Sequence, residues 1–208
     1  MYLEKMKYYF QGDIMILYLS NKLTTFLLQK KIINSEFKEL YCFGFQTMIS
    51  NIIGTLLALL VALVTKKYIE TLCYFVIFIT FRKFCGGYHA DTHLMCNTIF
   101  FITTLCTVLA ISFIQDIPVA VEFLCYVFCL DVLLIFAPLQ NKNKPIELKD
   151  RRKFKLYSLA FMNILFIICG IINKYFSDLY IISTTITITI FVICVHMIMG
   201  RIKETLHS

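Results

Sequence analysis

Apolar residues in this chain come in long blocks separated by short polar stretches, not in single alternation. Residues 40–65 carry no charge at all. As a helix they would extend about 39 Å at 1.5 Å per residue, which exceeds the ~30 Å hydrocarbon core of a bilayer. The blocks 97–115, 117–139, 156–173 and 179–200 each come close to the ~20 residues a crossing helix needs. Residues 68–81 form a shorter block, about 21 Å as a helix, and include Glu70. The pattern therefore predicts an all-α membrane protein with six transmembrane helices. Residues 14–33 read differently, because Ile14, Leu17 and Leu28 are interleaved with Lys22, Lys30 and Lys31. This predicts an N-terminal amphipathic helix lying in the inner interface; packing of the same helix on the bundle is the alternative. The chain thus divides into an N-terminal amphipathic segment, 1–39, and a single six-helix membrane domain, 40–208. Residues 1–13 are charged and aromatic and lack the apolar core and cleavage site of a signal peptide.

One block conflicts with local propensity. Residues 183–190 alternate β-branched Thr and Ile after Ser183, a pattern that favours a strand. An open strand in lipid leaves its backbone unsatisfied, so a helix is predicted there too.

Composition agrees with a membrane protein. Hydrophobic residues make up 59% and charged residues 16% of the chain, with a mean hydropathy of +0.77. A soluble domain carries about 25% charged residues, so disorder, collagen and an ordinary soluble enzyme are excluded. A net charge of +7 in a soluble protein would suggest nucleic acid. Here basic loops hold helices with their positive side inward, and no nucleic-acid partner is expected. With both termini inside, segments 1–39, 82–96, 140–155 and 201–208 are internal and hold 17 of the 20 Lys and Arg. Only Lys66, Lys67 and Lys174 then lie outside. If 68–81 does not cross and the later helices keep their orientation, the division falls to 13 against 7. The positive-inside bias therefore favours six crossings.

Six of the nine cysteines (Cys73, Cys106, Cys125, Cys129, Cys169 and Cys194) sit inside apolar blocks, where a thiol behaves as a small hydrophobe. Cys42, Cys85 and Cys96 lie near polar flanks and are the candidates for chemistry. Two of these belong to the polar connector 82–96, which also contains Arg82, Gly86, Gly87, His89, Asp91 and His93. A simple connector needs none of them. The paired glycines suit a tight bend, and their amides suit an oxyanion hole; the Cys96 amide is a further candidate donor. Cysteine with histidine suggests a thiolate and its base. His93 and Cys96, three apart, can meet on an intact helix. His89 and Cys96 are separated by a rise of about 10.5 Å on a straight helix, far more than the ~3 Å a base needs. That pair requires a broken helix. Zinc on His89, His93 and Cys96 is disfavoured, because one ion with ~2 Å bonds cannot span residues seven apart on a straight helix. No metal or cofactor is predicted.

Other charges offer secondary candidates. Arg82 suits a substrate carboxylate or a lipid phosphate. Asp131 lies within the fourth block, where an acid is a functional candidate, whereas Glu122 sits nearer the outer edge and is expected to snorkel. The basic inner loop 140–155, flanked by Pro138 and holding Pro145, includes Lys142 and Lys144. It sets topology first and can bind anionic lipid. Gly54 and Ala58 form a small-residue pair on the first span, suited to close helix approach within the chain or between copies.

Arg82, Gly86-Gly87, His89-Ala90 and Cys96 resemble the signature of the accessory gene regulator protein B (AgrB) family, the membrane peptidases of Gram-positive quorum sensing. The pattern is R-x-x-x-G-G-x-H-A with a cysteine seven residues after the histidine. The chain length, the multi-span plan and the proline-flanked basic loop fit as well. The resemblance implies a cysteine endopeptidase of the cell membrane that acts at the cytoplasmic face. Its substrate would be an AgrD-type propeptide, which loses its C-terminal tail on the way to a thiolactone or lactone ring. It assigns catalysis to His89 and Cys96 rather than to His93, with the helix broken near 90–95. It also implies a homodimer, and an acidic propeptide tail that Arg82, Lys142 and Lys144 could contact. A small transporter or exporter subunit using Glu122 and Asp131, or a purely structural membrane partner, are the competing readings.

Overall fold

The computed structural model of the chain describes residues 11–87, 90, 92–114, 117–139 and 148–206. Among these residues every regular element is helical. Seven α-helices follow in order: α1 (Gln11–Gln29), α2 (Lys38–Thr65), α3 (Tyr68–Cys85), α4 (His93–Phe113), α5 (Val119–Phe136), α6 (Leu148–Tyr175) and α7 (Tyr180–Leu206). Short 3-10 turns at Ser35–Phe37 and Ser177–Leu179 precede α2 and α7. The chain forms two compact units, one of residues 1–60 and 90–103, the other of 61–89 and 104–208.

In the first unit, α1 buries Asp13, Ile16, Ser20 and Thr24. These positions recur every three or four residues and so share one face of a helix. Three of the four are polar, while Ile14, Met15, Tyr18, Leu23 and Phe26 are exposed. Ser20 Oγ and Thr24 Oγ1 donate to the carbonyls of Ile16 and Ser20, each at 2.7 Å, so burial leaves neither hydroxyl unsatisfied. The Cys42 thiol on α2 donates to Asn21 Oδ1 at 3.3 Å. α1 therefore packs through its polar stripe and shows its apolar residues outward. The helix stops at Gln29, before Lys31 with its positive φ of 55°. A Cβ added at Gly54 would sit 3.9 Å from Asn97 and Phe100 of α4, an ordinary van der Waals distance, and Ala58 is buried. The small-residue pair thus serves packing within the chain.

In the second unit α7 is the central helix, packed against α3, α5 and α6. Ser183, Thr184, Thr185, Ile186, Thr187, Thr189 and Ile190 are all buried along it. The strand-like alternation at 183–190 is overridden, as the lipid argument requires. Thr185 Oγ1 and Thr189 Oγ1 each donate at 2.6 Å to the carbonyl four residues back, which makes buried threonine tolerable. α3 presents Thr71, Tyr74, Ile77, Phe78, Phe81 and Cys85 as its buried stripe, again a helical period.

Five helices, α2 and α4 to α7, are long and apolar enough to cross a membrane. The sixth predicted span does form a helix, but α3 falls outside this group. Its 18 residues include Glu70 in the first turn and Arg82 and Lys83 in the last. Block 82–96 therefore begins as helix and not as connector. The basic loop is also shorter than predicted, because α6 starts at Leu148 and takes in Arg151, Arg152, Lys153 and Lys155. Lys153 pairs with Asp150 at 3.7 Å. Lys155 Nζ donates to the Leu134 carbonyl in the last turn of α5 at 2.6 Å, a position where a helix end lacks internal donors.

Candidate functional site

The residues singled out in 82–96 fall in both units, and each unit has its own local logic. In the second, α3 ends at Gly86, which takes φ +80° and donates its N–H to the Arg82 carbonyl at 3.1 Å. Only glycine takes that angle without strain. A side chain there would also place its Cβ 2.6 Å from the Leu139 carbonyl oxygen. The close approach is fixed by a second bond, from Leu139 N–H to the Cys85 carbonyl at 2.9 Å. The glycine bend is thus pressed against Leu139, which is buried together with Ala137 and Pro138, the last two joined by a cis bond.

Arg82 is half-buried. Its guanidinium lies 5.7 Å from the Phe78 ring centre, and its side chain covers Gly87, whose added Cβ would sit 3.6 Å from Nε. The other side of this group is His196 on α7, packed edge-on to Phe78 at 6.0 Å. His196 Nδ1 lies 2.8 Å from the Val192 carbonyl, which can only accept, so that nitrogen carries the proton. Sequence reading passed over His196, since nothing in its neighbourhood along the chain marks it.

In the first unit, α4 opens with two caps. Thr92 Oγ1 accepts the Met95 N–H at 3.1 Å, and Asp13 Oδ1, from α1, accepts the Leu94 N–H at 3.1 Å. Cys96 is half-buried in the first turn and donates its N–H to the Thr92 carbonyl at 3.0 Å. Asn97 beside it is buried and accepts from Ser50 Oγ at 3.3 Å. The implied helix break therefore lies before His93, not through Met95. Ala90 and Thr92 are non-helical, while His93, Leu94 and Met95 are helical. Thr92 just ahead of an apolar run is an N-cap signal that the sequence carries openly.

His89, Asp91, Lys142 and Lys144 lie outside the described residues. Of the three thiols nominated for chemistry, Cys42 and Cys85 are buried and Cys96 is half-buried. The Cys85 thiol donates to the Gly86 carbonyl at 3.3 Å, and burial raises its pKa above the ordinary thiol value. Of the three amides nominated for an oxyanion, those of Gly86 and Cys96 already serve helix hydrogen bonds. Asp131 is exposed on α5. Glu122 does not snorkel. It is buried, accepts from Ser183 Oγ at 2.8 Å and accepts from Asn173 Nδ2. Among the described residues no three His, Cys, Asp or Glu side chains gather as a metal site.

The family model for Accessory gene regulator B matches residues 20–206. The chain belongs to the AgrB family. Putative AgrB-like protein 2 of Clostridium perfringens (strain 13 / Type A) is 28% identical over 138 residues, covering 63% of this chain and 64% of the relative. A putative AgrB-like protein of strain SM101 / Type A is 26% identical over the same length and shares. Accessory gene regulator protein B of Staphylococcus haemolyticus (strain JCSC1435) is 24% identical over 146 residues, 69% of this chain and 76% of the relative. The chain thus spans a little under two thirds of the length of the two clostridial relatives. No solved structure matches it. The AgrB match takes in all of α2 to α7 and both halves of the 82–96 segment, but begins after Asp13.

Proposed function

We propose that this AgrB-family chain is a membrane cysteine endopeptidase. It removes the C-terminal tail of an AgrD-type propeptide and promotes closure of a thiolactone or lactone ring. The observation that carries this reading is the family match over residues 20–206, which includes Arg82, Gly86, Gly87, His89 and Cys96 in the family's spacing. Membership supports a role in accessory-gene-regulator quorum-sensing processing.

In the proposed reaction His89 takes the Cys96 proton and the thiolate adds to the scissile carbonyl. The Gly87 amide serves as oxyanion donor, because the Gly86 and Cys96 amides are engaged in their helices. The C–N bond then breaks, and His89 returns the proton to the departing amine. The propeptide remains as a thioester on Cys96. A thiol or hydroxyl of the propeptide gives its proton to His89, attacks that thioester and expels the Cys96 thiolate, which closes the ring. Exchange of one thioester for another is nearly neutral, so a cysteine nucleophile suits the transfer. Arg82, Lys142 and Lys144 contact the acidic tail, and Asp131 offers an opposite charge.

The same proposal has α3 as a sixth crossing, both termini in the cytoplasm, the site at the cytoplasmic face of a Gram-positive cell membrane, anionic lipid on the basic segment, and a homodimer. For α3, support comes from its charges, which lie only in its end turns, and from the 17 of 20 basic residues that fall inside. The test replaces Cys96 by Ser in cells that make a tagged propeptide from a neighbouring reading frame. Uncleaved propeptide should accumulate. Cleavage at the unsubstituted rate would reject the peptidase and favour a transporter.

A further inference from the structure

We propose that Asp13 is a positioning residue for this reaction, one that holds the first turn of α4 and with it Cys96; the inference rests on the peptidase reading. Asp13 is 2% exposed, and its Oδ1 accepts the Leu94 N–H at 3.1 Å across 81 residues of sequence. Leu94 is two residues before Cys96. A buried carboxylate is costly, and its second oxygen, Oδ2, has no hydrogen-bond partner among the described residues. What compensates is the end of the helix itself, whose unpaired N–H groups and dipole favour an anion. Thr92 already supplies the local cap, to Met95. Asp13 therefore adds something a neighbouring residue does not, a tie from α1 to the turn that bears the nucleophile.

The rest of α1 underlines this. Its buried hydroxyls, on Ser20 and Thr24, bond back to their own helix. Asp13 instead reaches out to α4. Helix ends fray first, and displacement of a reacting group by about 1 Å can cost 10²-fold in rate. A tie at the second residue of α4 acts where such slack would reach Cys96. Asp13 lies ahead of the family match, which starts at residue 20.

The experiment compares Asp13→Ala and Asp13→Asn in the full chain, reconstituted in lipid. Asparagine keeps an acceptor and caps helices as well as aspartate. In Asp13→Ala, hydrogen exchange over 93–97 should accelerate about fivefold, the size of one lost cap, while exchange in α7 stays unchanged. N-ethylmaleimide should label Cys96 faster, with Cys106 on the same helix unaffected, and cleavage of the co-expressed propeptide should fall about tenfold. Asp13→Asn should exchange and cleave like the unsubstituted chain. Unchanged exchange in α7 separates this local effect from loss of folded protein, which would speed exchange throughout the chain. The proposal is overturned if Asp13→Ala behaves as the unsubstituted chain, or if Asp13→Asn is as impaired as Asp13→Ala. Should Asp13→Ala fail to accumulate, Asp13→Asn still decides, since rapid exchange at 93–97 in that variant rejects the cap. If Cys96→Ser leaves cleavage unchanged, the peptidase reading falls, and the exchange data alone judge the tie.

Discussion

A thiol serves as a nucleophile only when it can ionise and be reached. Buried cysteines such as Cys85, Cys129, Cys169 and Cys194 are out of reach. Cys96 sits half-buried in the first turn of a helix, beside the polar segment that precedes it. We expect N-ethylmaleimide to label Cys96 well ahead of those four, and His89→Ala to slow that labelling severalfold. Mass spectrometry of the labelled peptides reads both, and equal rates with and without His89 would reject the dyad while leaving the fold untouched. The same scale shows where local reading fails. Glu122 was expected to reach for the membrane edge, because a lone acid in an apolar block has no visible partner nearby. Its partners, Asn173 and Ser183, are 51 and 61 residues further on, and only the folded chain brings them within reach.

Helices were largely legible because each needs only its own stretch of sequence. The uncharged block 40–65 and α2 end at the same residue, and the Thr–Ile alternation at 183–190 yields to helix because lipid offers a strand no partners. Boundaries near polar residues were not legible. Arg82 to Cys85 extend α3, and residues 148–155 extend α6, since Arg and Lys favour helix as readily as the apolar residues beside them. The open question at this scale is α3. Reporter fusions before Met1 and after Ser208 should both read cytoplasmic, and one near Lys174 external. An external reading before Met1 would remove α3 as a crossing and leave the five apolar helices alone.

At the scale of the molecule, the family and its motif were readable because the 82–96 signature occupies a single stretch. What holds its two ends was not, since Asp13 and Leu139 come from distant parts of the sequence. The proposed homodimer also belongs here. Ala58 is buried and Gly54 half-buried within the chain, so replacing Gly54 should not selectively abolish the dimer. Crosslinking in native membranes followed by gel mobility should give a band at twice the monomer mass. A strictly monomeric chain that still cleaves the propeptide would reject the dimer.

The contact at Gly86 has a consequence for genetics. The obstacle to any larger residue there is the main-chain oxygen of Leu139, which every amino acid carries. A Gly86 variant therefore cannot be suppressed by changing the side chain at position 139. Intragenic suppressors, if a selection yields them, must instead re-route the backbone, at Ala137 or Pro138 or by retracting the end of α3. The set of second-site mutations that restore a Gly86 variant should be sparse and confined to those places, unlike the broad set that relieves an ordinary crowded side chain.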